Sequence, residues 1–280
     1  MRQRFFLGLS PAGFHRVAYW EHGPGQAAQT VVCVHGLTRN GRDFDALAGS
    51  LVGLGRRVAC PDVVGRGASD WLADPAHYAL PQYCADMAAL VARLDVGTVD
   101  WVGTSMGGLI GMLLAAMPGT PIRRLVLNDV GPFVPGPGLA AIAAGLEDRA
   151  FDDLEALEAH LRQVAAGFGP LTDAQWRHLT EHGWRRLPDG RLARNHDPAI
   201  AAPLRAAPPA DVDLWPVYDA VGCPVLVIRG AESAVLTAET AADMAARGPK
   251  AEVVTLPGIG HAPALMADDQ IALVRDFLDG

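Results

Sequence analysis

The stretch VGTSMGG, Val102 to Gly108, sets Ser105 between Gly103 and Gly107 in a G-x-S-x-G pattern. A serine hydroxyl becomes a useful nucleophile when the chain exposes it, a base takes its proton and N–H donors hold the oxyanion it creates. The flanking residues supply the first condition. VDWV, ahead of the motif, reads as a strand, and MGGLIGMLLAAM, behind it, as a buried helix. A tight turn between the two leaves no room for side chains at 103 and 107. It also aims the free N–H groups of the helix N-terminus at any oxyanion formed beside the serine.

The other two conditions point to distant residues. VVCVHGLTRN ends a second strand at His35-Gly36, so that the N–H of Leu37 can meet the N–H of Met106 and form an oxyanion hole. His35 itself is expected to shape that loop. A base is offered by His261, which LPGIGHAP places in a glycine-rich loop beyond the last strand. Of the nine histidines it alone combines a loop after a strand with the C-terminal place that the order Ser, acid, His requires.

Such residues must be held by elements that the rest of the chain describes. Up to about residue 130, short β-branched runs (RFFLGL, RVAYW, TVVCVHG, RRVACPD, VDWVGTS, RRLVLND) alternate with amphipathic stretches such as PQYCADMAALVARL. That alternation predicts a mostly parallel sheet flanked by helices, with the opening pair as an antiparallel edge. From Phe133 to about Trp215 the rhythm breaks into helical patterns with no convincing strand, and prolines at 198, 203, 208 and 209 bring the chain out. Three of the six tryptophans lie there, which predicts a helical cap rather than a solvated linker. Strand and helix then resume with CPVLVIRG, TAETAADMAAR, AEVVTLPG and DDQIALVRDFL. The expected organisation is therefore a core of residues 1–132 and 216–280 around a helical cap of residues 133–215. Its Phe133, Trp176, Trp184 and Trp215 are candidate walls of an apolar pocket over Ser105.

Composition excludes several classes. Half of the 280 residues are hydrophobic and 19% are charged, as in a compact globular protein. A formal charge of −8 without a basic cluster gives nucleic acid no foothold. The apolar patch in MRQRFFLGLSP is too short for a signal-peptide core, and the longest apolar run, Gly107 to Met117, is too short to span a bilayer, so no membrane partner is expected. Cys33, Cys60, Cys84 and Cys223 form no CxxC pair and read as small core residues of a cytoplasmic protein. The oligomeric state is left open.

The segments VCVHGLTRNGRDFDALA, CPDVVGRGASD, GTSMGG, LVLNDVGP, VIRGAES and PGIGHAP occur in the order and spacing of an α/β-hydrolase fold serine hydrolase, and the chain resembles the capped, esterase and lactonase type. The resemblance covers nearly the whole chain. It implies an eight-stranded, mostly parallel sheet and cleavage of a small-molecule carboxylic ester or lactone through an acyl-enzyme on Ser105, with no cofactor and no metal. Thioesterase, amidase and C–C bond hydrolase chemistry share the fold. In such enzymes the triad acid usually follows the strand equivalent to PVLVIRG, where this chain has AESAVLT and Ala234 takes the expected place of an aspartate. Three alternatives stand: Asp129 after the LVLN strand, Glu232 early in the loop, or no acid, which would leave a disabled enzyme or a binding protein.

Three other patterns weigh less. HLTEH, His178 to His182, matches an H-x-x-E-H zinc pattern but has no obvious third ligand in sequence and reads as a solvated helix face. GPGLAA from Gly136 imitates a dinucleotide turn, yet Pro135 and Pro137 suit a loop. In PDVVGRGASD, Asp62, Arg66 and Asp70 are expected to tie one loop together.

Overall fold

The computed structural model describes residues 1–146, 148–205 and 210–280; Pro208 and Pro209, among the prolines noted above, lie outside them. The chain first lays down β1 (Arg2–Ser10), β2 (Gly13–His22), β3 (Thr30–Val34), α1 (Asp45–Gly53), β4 (Arg57–Pro61), α2 (Leu80–Leu94), β5 (Val99–Thr104), α3 (Met106–Ala115) and β6 (Ile122–Asn128). An insertion follows, with β7 (Phe133–Val134), α4 (Gly136–Ala144), β8 (Ala150–Phe151), α5 (Leu154–Val164), α6 (Asp173–Glu181), β9 (Trp184–Arg186), β10 (Leu192–Arg194), α7 (Ala202–Arg205) and β11 (Val212–Asp213). The chain closes with α8 (Trp215–Asp219), β12 (Val225–Gly230), α9 (Ala238–Ala246), β13 (Glu252–Leu256) and α10 (Asp268–Asp279).

Eight strands form one sheet in the order β1-β2-β4-β3-β5-β6-β12-β13. β2 pairs antiparallel with both β1 and β4, and every pair from β4 to β13 is parallel, as expected. Central strands of such a sheet are covered on both faces and so lose the polar alternation of a half-exposed strand. β3, TVVCV, is buried throughout. Its Val32 and Val34 join a core with Met87 and Leu90 of α2, Ile110 of α3 and Met244 of α9. Its Val31 and Cys33 point to the other face, against Leu47 and Leu51 of α1 and Val274 and Leu278 of α10. α2 turns Tyr83, Met87, Leu90 and Leu94 inward at helical spacing.

The insertion departs from the strand-free expectation. β7 and β11 pair antiparallel at its root, and β8, β10 and β9 form a small sheet of their own. Strands of two or three residues are too short to show a period, which is why the hydrophobic pattern misses them. One local signal was present: Asp189-Gly190, with Gly190 at φ +89°, turns the β9–β10 hairpin. The GPGLAA segment is likewise a helix, α4, and not a loop. Pro135 caps it and Pro137 sits in its first turn, where a missing N–H costs nothing.

Hydrogen bonds tie the insertion to loops at the C-terminal ends of the parallel strands. Gly260 N–H donates to Gly167 O (2.9 Å), Gly67 N–H to Asn195 O (3.0 Å) and Asp197 N–H to Gly65 O (2.8 Å). Gln175 reaches Met266 O, and the Asn40 amide reaches His182 O. Ser105 lies at this same end of the sheet, because α3 starts where β5 stops.

Helix α3 packs tightly on the sheet at Gly107, where an added Cβ would lie well inside van der Waals distance of the Val34 carbonyl on central strand β3. Gly49, exposed on α1, has open space in that direction. Gly107→Ala should lower unfolding free energy by roughly 3 kcal/mol, whereas Gly49→Ala should raise it by about 0.5–1 kcal/mol. Urea denaturation of the two variants checks the contrast, and equal effects would contradict the packing described.

Candidate active site

Ser105 occupies the turn between β5 and α3 with φ 52° and ψ −116°, a conformation that costs a non-glycine residue of order 1–3 kcal/mol. The neighbours make it obligatory. A Cβ at Gly103 would strike the Gly107 carbonyl, and Ser105 N–H donates to Asn128 O (3.0 Å) on the next strand. The hydroxyl is thereby lifted above the sheet edge, and Met106 becomes the first residue of α3, where an amide N–H has no partner within the helix.

His261 stands beside it. Its Nε2 is 2.9 Å from Ser105 Oγ, and its Nδ1 is 2.7 Å from Asp129 Oδ2. Asp129 is fully buried, and its other oxygen accepts the Gly230 N–H at 2.8 Å. Its backbone, at φ +56°, is in the left-handed region, which Asp tolerates better than most residues, and turns the side chain from the end of β6 toward the histidine loop. With Nδ1–H donating to Asp129, Nε2 is the tautomer's acceptor for the serine hydroxyl. Of the alternatives for the acid, Glu232 is exposed and Ala234 lies at the surface beside Gly138 of α4. Asp129 is the carboxylate that the fold brings to the histidine.

The Leu37 side of the site is held by two buried polar side chains. Val63 N–H donates to His35 Nε2 (2.9 Å), while His35 Nδ1–H donates to Gly36 O (2.7 Å). Burial pushes the imidazole down to about 3, so it stays neutral and serves the loop. Arg66, with none of its surface exposed, donates from Nε to Leu37 O (2.8 Å) and from Nη1 to Val64 O and Tyr83 Oη. Its guanidinium also lies 3.8 Å from the Met106 sulfur and 5.0 Å from the centre of the Tyr83 ring. One buried cation thus touches both residues of the expected oxyanion hole. Asp62 ties its own loop by accepting from Ala68 N–H, but it also accepts from Gly41 N–H, and Asp70 accepts from Arg16 N–H on β2, so these side chains fasten the loop to its surroundings as well as to itself.

Sequence reasoning overlooked Asn128. Buried at the end of β6, it donates to Thr104 Oγ1 (3.0 Å) and Pro263 O (2.8 Å), bracing the nucleophile strand against the histidine loop. A polar residue closing the apolar run LVLN was its only trace.

A small cavity beside the turn is lined by His35, Gly36, Thr104, Phe168, Leu179 and Ala262, among others. Phe168 and Leu179 come from the insertion. None of the four aromatic residues expected as walls lines it. Trp176 stacks on Phe168 from behind, Trp184 packs on the β8–β10 cluster, and Trp215 packs edge-on to Tyr218 at the insertion's root.

The α/β hydrolase fold family matches residues 29–266. The chain belongs to that family. It is 46% identical to the 3-hydroxybutyrate-oligomer hydrolase of Cupriavidus necator, over all of this chain and 98% of that one. It is 30% identical to the 2-(acetamidomethylene)succinate hydrolase of Mesorhizobium japonicum, over 88% of this chain and 86% of that one. Among solved structures, an α/β hydrolase from Novosphingobium aromaticivorans superposes with a TM-score of 0.87 at 38% identity, covering 99% of this chain and 98% of that one. Among the described residues, no helix is long and apolar enough to cross a membrane.

The loops around the site carry an acid sensitivity. Burial also pushes His196 down to about 3, with Arg194 and Arg66 adding to the effect, and pushes Asp62 up to about 6. Below the ordinary histidine value of about 6.5 the unfolded chain takes up protons at 35 and 196 that the folded chain refuses, so each costs about 1.4 kcal/mol per pH unit as pH falls. Asp62 acts in the opposite sense, because the folded chain keeps its proton up to about 6 and the unfolded chain loses it near 3.8. Between pH 6 and 4 these three leave a net loss of about one proton's worth, roughly 1.4 kcal/mol per unit. His196→Gln should flatten the fall in unfolding free energy by that amount, measured by urea denaturation at pH 7, 6 and 5. An unchanged slope would show that His196 is not held neutral.

Proposed function

We propose that the protein cleaves short esters of hydroxy acids, 3-hydroxybutyrate oligomers among them, through an acyl-enzyme on Ser105. The chain is an ester-hydrolysing enzyme, and its full-length likeness to the Cupriavidus enzyme supports oligomers of this kind as substrate. The observation that carries the serine mechanism is the line Asp129–His261–Ser105, with spacings of 2.7 and 2.9 Å.

In this reading His261 Nε2 takes the Ser105 proton as Oγ attacks the ester carbonyl. Asp129 keeps Nδ1 protonated and stabilises the imidazolium that forms. The N–H groups of Leu37 and Met106 receive the oxyanion, and Arg66 holds Leu37 from behind through its carbonyl. As the tetrahedral intermediate collapses, His261 returns the proton to the leaving alkoxide oxygen, which departs as the hydroxyl end of the shortened oligomer. Water then attacks the acyl-enzyme with the same histidine as base, releasing the acid and restoring the serine. No step calls for a metal or cofactor.

The insertion, residues 133–215, acts as the cap of this enzyme, and residues 1–132 and 216–280 act as its core. Its hydrogen bonds to the loops around Ser105 support that division. Phe168 and Leu179 present an apolar face to the substrate, suited to a short acyl group. A cytoplasmic location belongs to the same reading, supported by four free thiols. Ala234 favours a binding protein without turnover, and the contact of Asp129 with His261 favours a working triad instead.

Ester turnover, on p-nitrophenyl butyrate and on the 3-hydroxybutyrate dimer, should vanish in Ser105→Ala. It should fall by roughly four orders of magnitude in Asp129→Asn and change little in Ala234→Asp. A rise of several orders in Ala234→Asp, with Asp129→Asn inert, would place the acid at 234 instead.

A further inference from the structure

The HLTEH pattern is left unused by ester hydrolysis, and it does not form the solvated face that sequence alone suggested. α6 lays it against the start of α1. His178 and His182 sit one turn apart with ring centres 4.6 Å from each other, edge to face. Asp45, the first residue of α1, supplies the partner that sequence proximity could not show. One donor atom each from Asp45, His178 and His182 lies within 4.8 Å of the others, and all three residues are half-buried.

Two orphaned atoms lie in the same place. Asp45 Oδ1 and His22 Nε2 are both buried and make no hydrogen bond among the described residues, though they face each other at 3.7 Å. His22, on β2, is 8% exposed. The other carboxylate oxygen, Oδ2, is already engaged by Arg42 at 2.6 Å and stands 3.5 Å from His178 Nε2. A buried carboxylate oxygen and a buried imidazole nitrogen left without partners each forfeit a hydrogen bond's worth of solvation. A group that binds there recovers it.

We infer that Asp45, His178 and His182 form a binding site for a divalent transition-metal ion such as Zn²⁺, joining the insertion to the core. Two imidazoles and one carboxylate are the donors such ions prefer, whereas Ca²⁺ and Mg²⁺ seek oxygen alone. Bond lengths of about 2.0–2.1 Å place tetrahedral donors roughly 3.3 Å apart, so the side chains must close by about 1.5 Å at most. His178 binds as its Nδ1–H tautomer and gives up the bond it now makes from Nε2 to Arg42 O (2.9 Å). His22 Nε2, 3.7 Å from Asp45 Oδ1, stands close enough to take up a hydrogen bond to the carboxylate once the side chains close on an ion, as second ligand layers commonly do. Arg42 competes for the carboxylate, so the expected affinity is weaker than that of a closed structural zinc site.

The consequence is mechanical. Leu179, between the two histidines on α6, lines the cavity beside Thr104 and Ala262. An ion that pins α6 to α1 therefore restrains one wall of the candidate active site. The site itself stands independently of ester hydrolysis.

Isothermal titration of the full chain with ZnCl₂, with MgCl₂ as control, tests the site directly, alongside Tm measured at each metal concentration. The expected result is one Zn²⁺ per chain, a Tm rise of several degrees with Zn²⁺ and none with Mg²⁺. Affinity should weaken at least tenfold in His178→Ala and in His182→Ala, and also in Asp45→Asn, which keeps the side chain's shape if the alanine variants fold poorly. Absence of Zn²⁺ binding to the parent chain overturns the inference. Equal binding in folded variants does so too, since the ion would then sit elsewhere, on His261 or a cysteine.

Discussion

The carboxylate of Asp129 is the point on which the site depends. It is buried, and among the described residues its charged partner is His261 and no arginine or lysine; such a group is costly unless its lone pairs are satisfied. Gly230 N–H at the end of β12 satisfies one oxygen and His261 Nδ1–H the other. That pair of bonds joins the end of β6, the end of β12 and the loop after β13. Asn128, one residue earlier, extends the brace to Thr104 and Pro263. The histidine is therefore located from two sides before it meets the serine. Because β6 and β12 are neighbours, a carboxylate after β6 reaches the histidine loop although the loop after β12 carries alanine at position 234.

Much of the remaining precision comes from polar side chains that serve backbone groups. His35 accepts from one loop and donates to another, and burial keeps it in the neutral form that can do both. Arg66 is a cation buried among carbonyls, a phenol and aromatic faces. Burying it is expensive, but it fixes Leu37 and leaves a permanent positive charge behind the place where negative charge would develop. Loops that would otherwise be free to move are thus ordered from inside, which suits a site whose donors must be in position before reaction rather than brought there during it.

The insertion follows a different logic. It is rooted by the two-residue pairing of β7 with β11 and otherwise held by scattered hydrogen bonds and small apolar clusters, such as Leu161, Trp176, Leu179 and Met266. Its aromatic residues are spent mainly on its own packing. Phe168 and Leu179 reach the cavity instead, and a side chain at Gly167 would crowd the backbone of His261.

By itself the sequence determined the sheet, the serine turn and the histidine loop. Those signals are local: apolar runs without alternation mark doubly covered strands, and glycines flanking a serine mark a turn that sterics reserve for them. Tertiary structure alone decided what depends on distance between strands far apart in the chain. Asp129 and His261 are separated by 132 residues, and only the order β6-β12-β13 makes them neighbours. The short strands of the insertion lay below the length at which a period can be read, except where Asp189-Gly190 announced a hairpin. Asp45 joined His178 and His182 for the same reason that Asp129 joined His261: packing brought together side chains between which the linear chain records no relation.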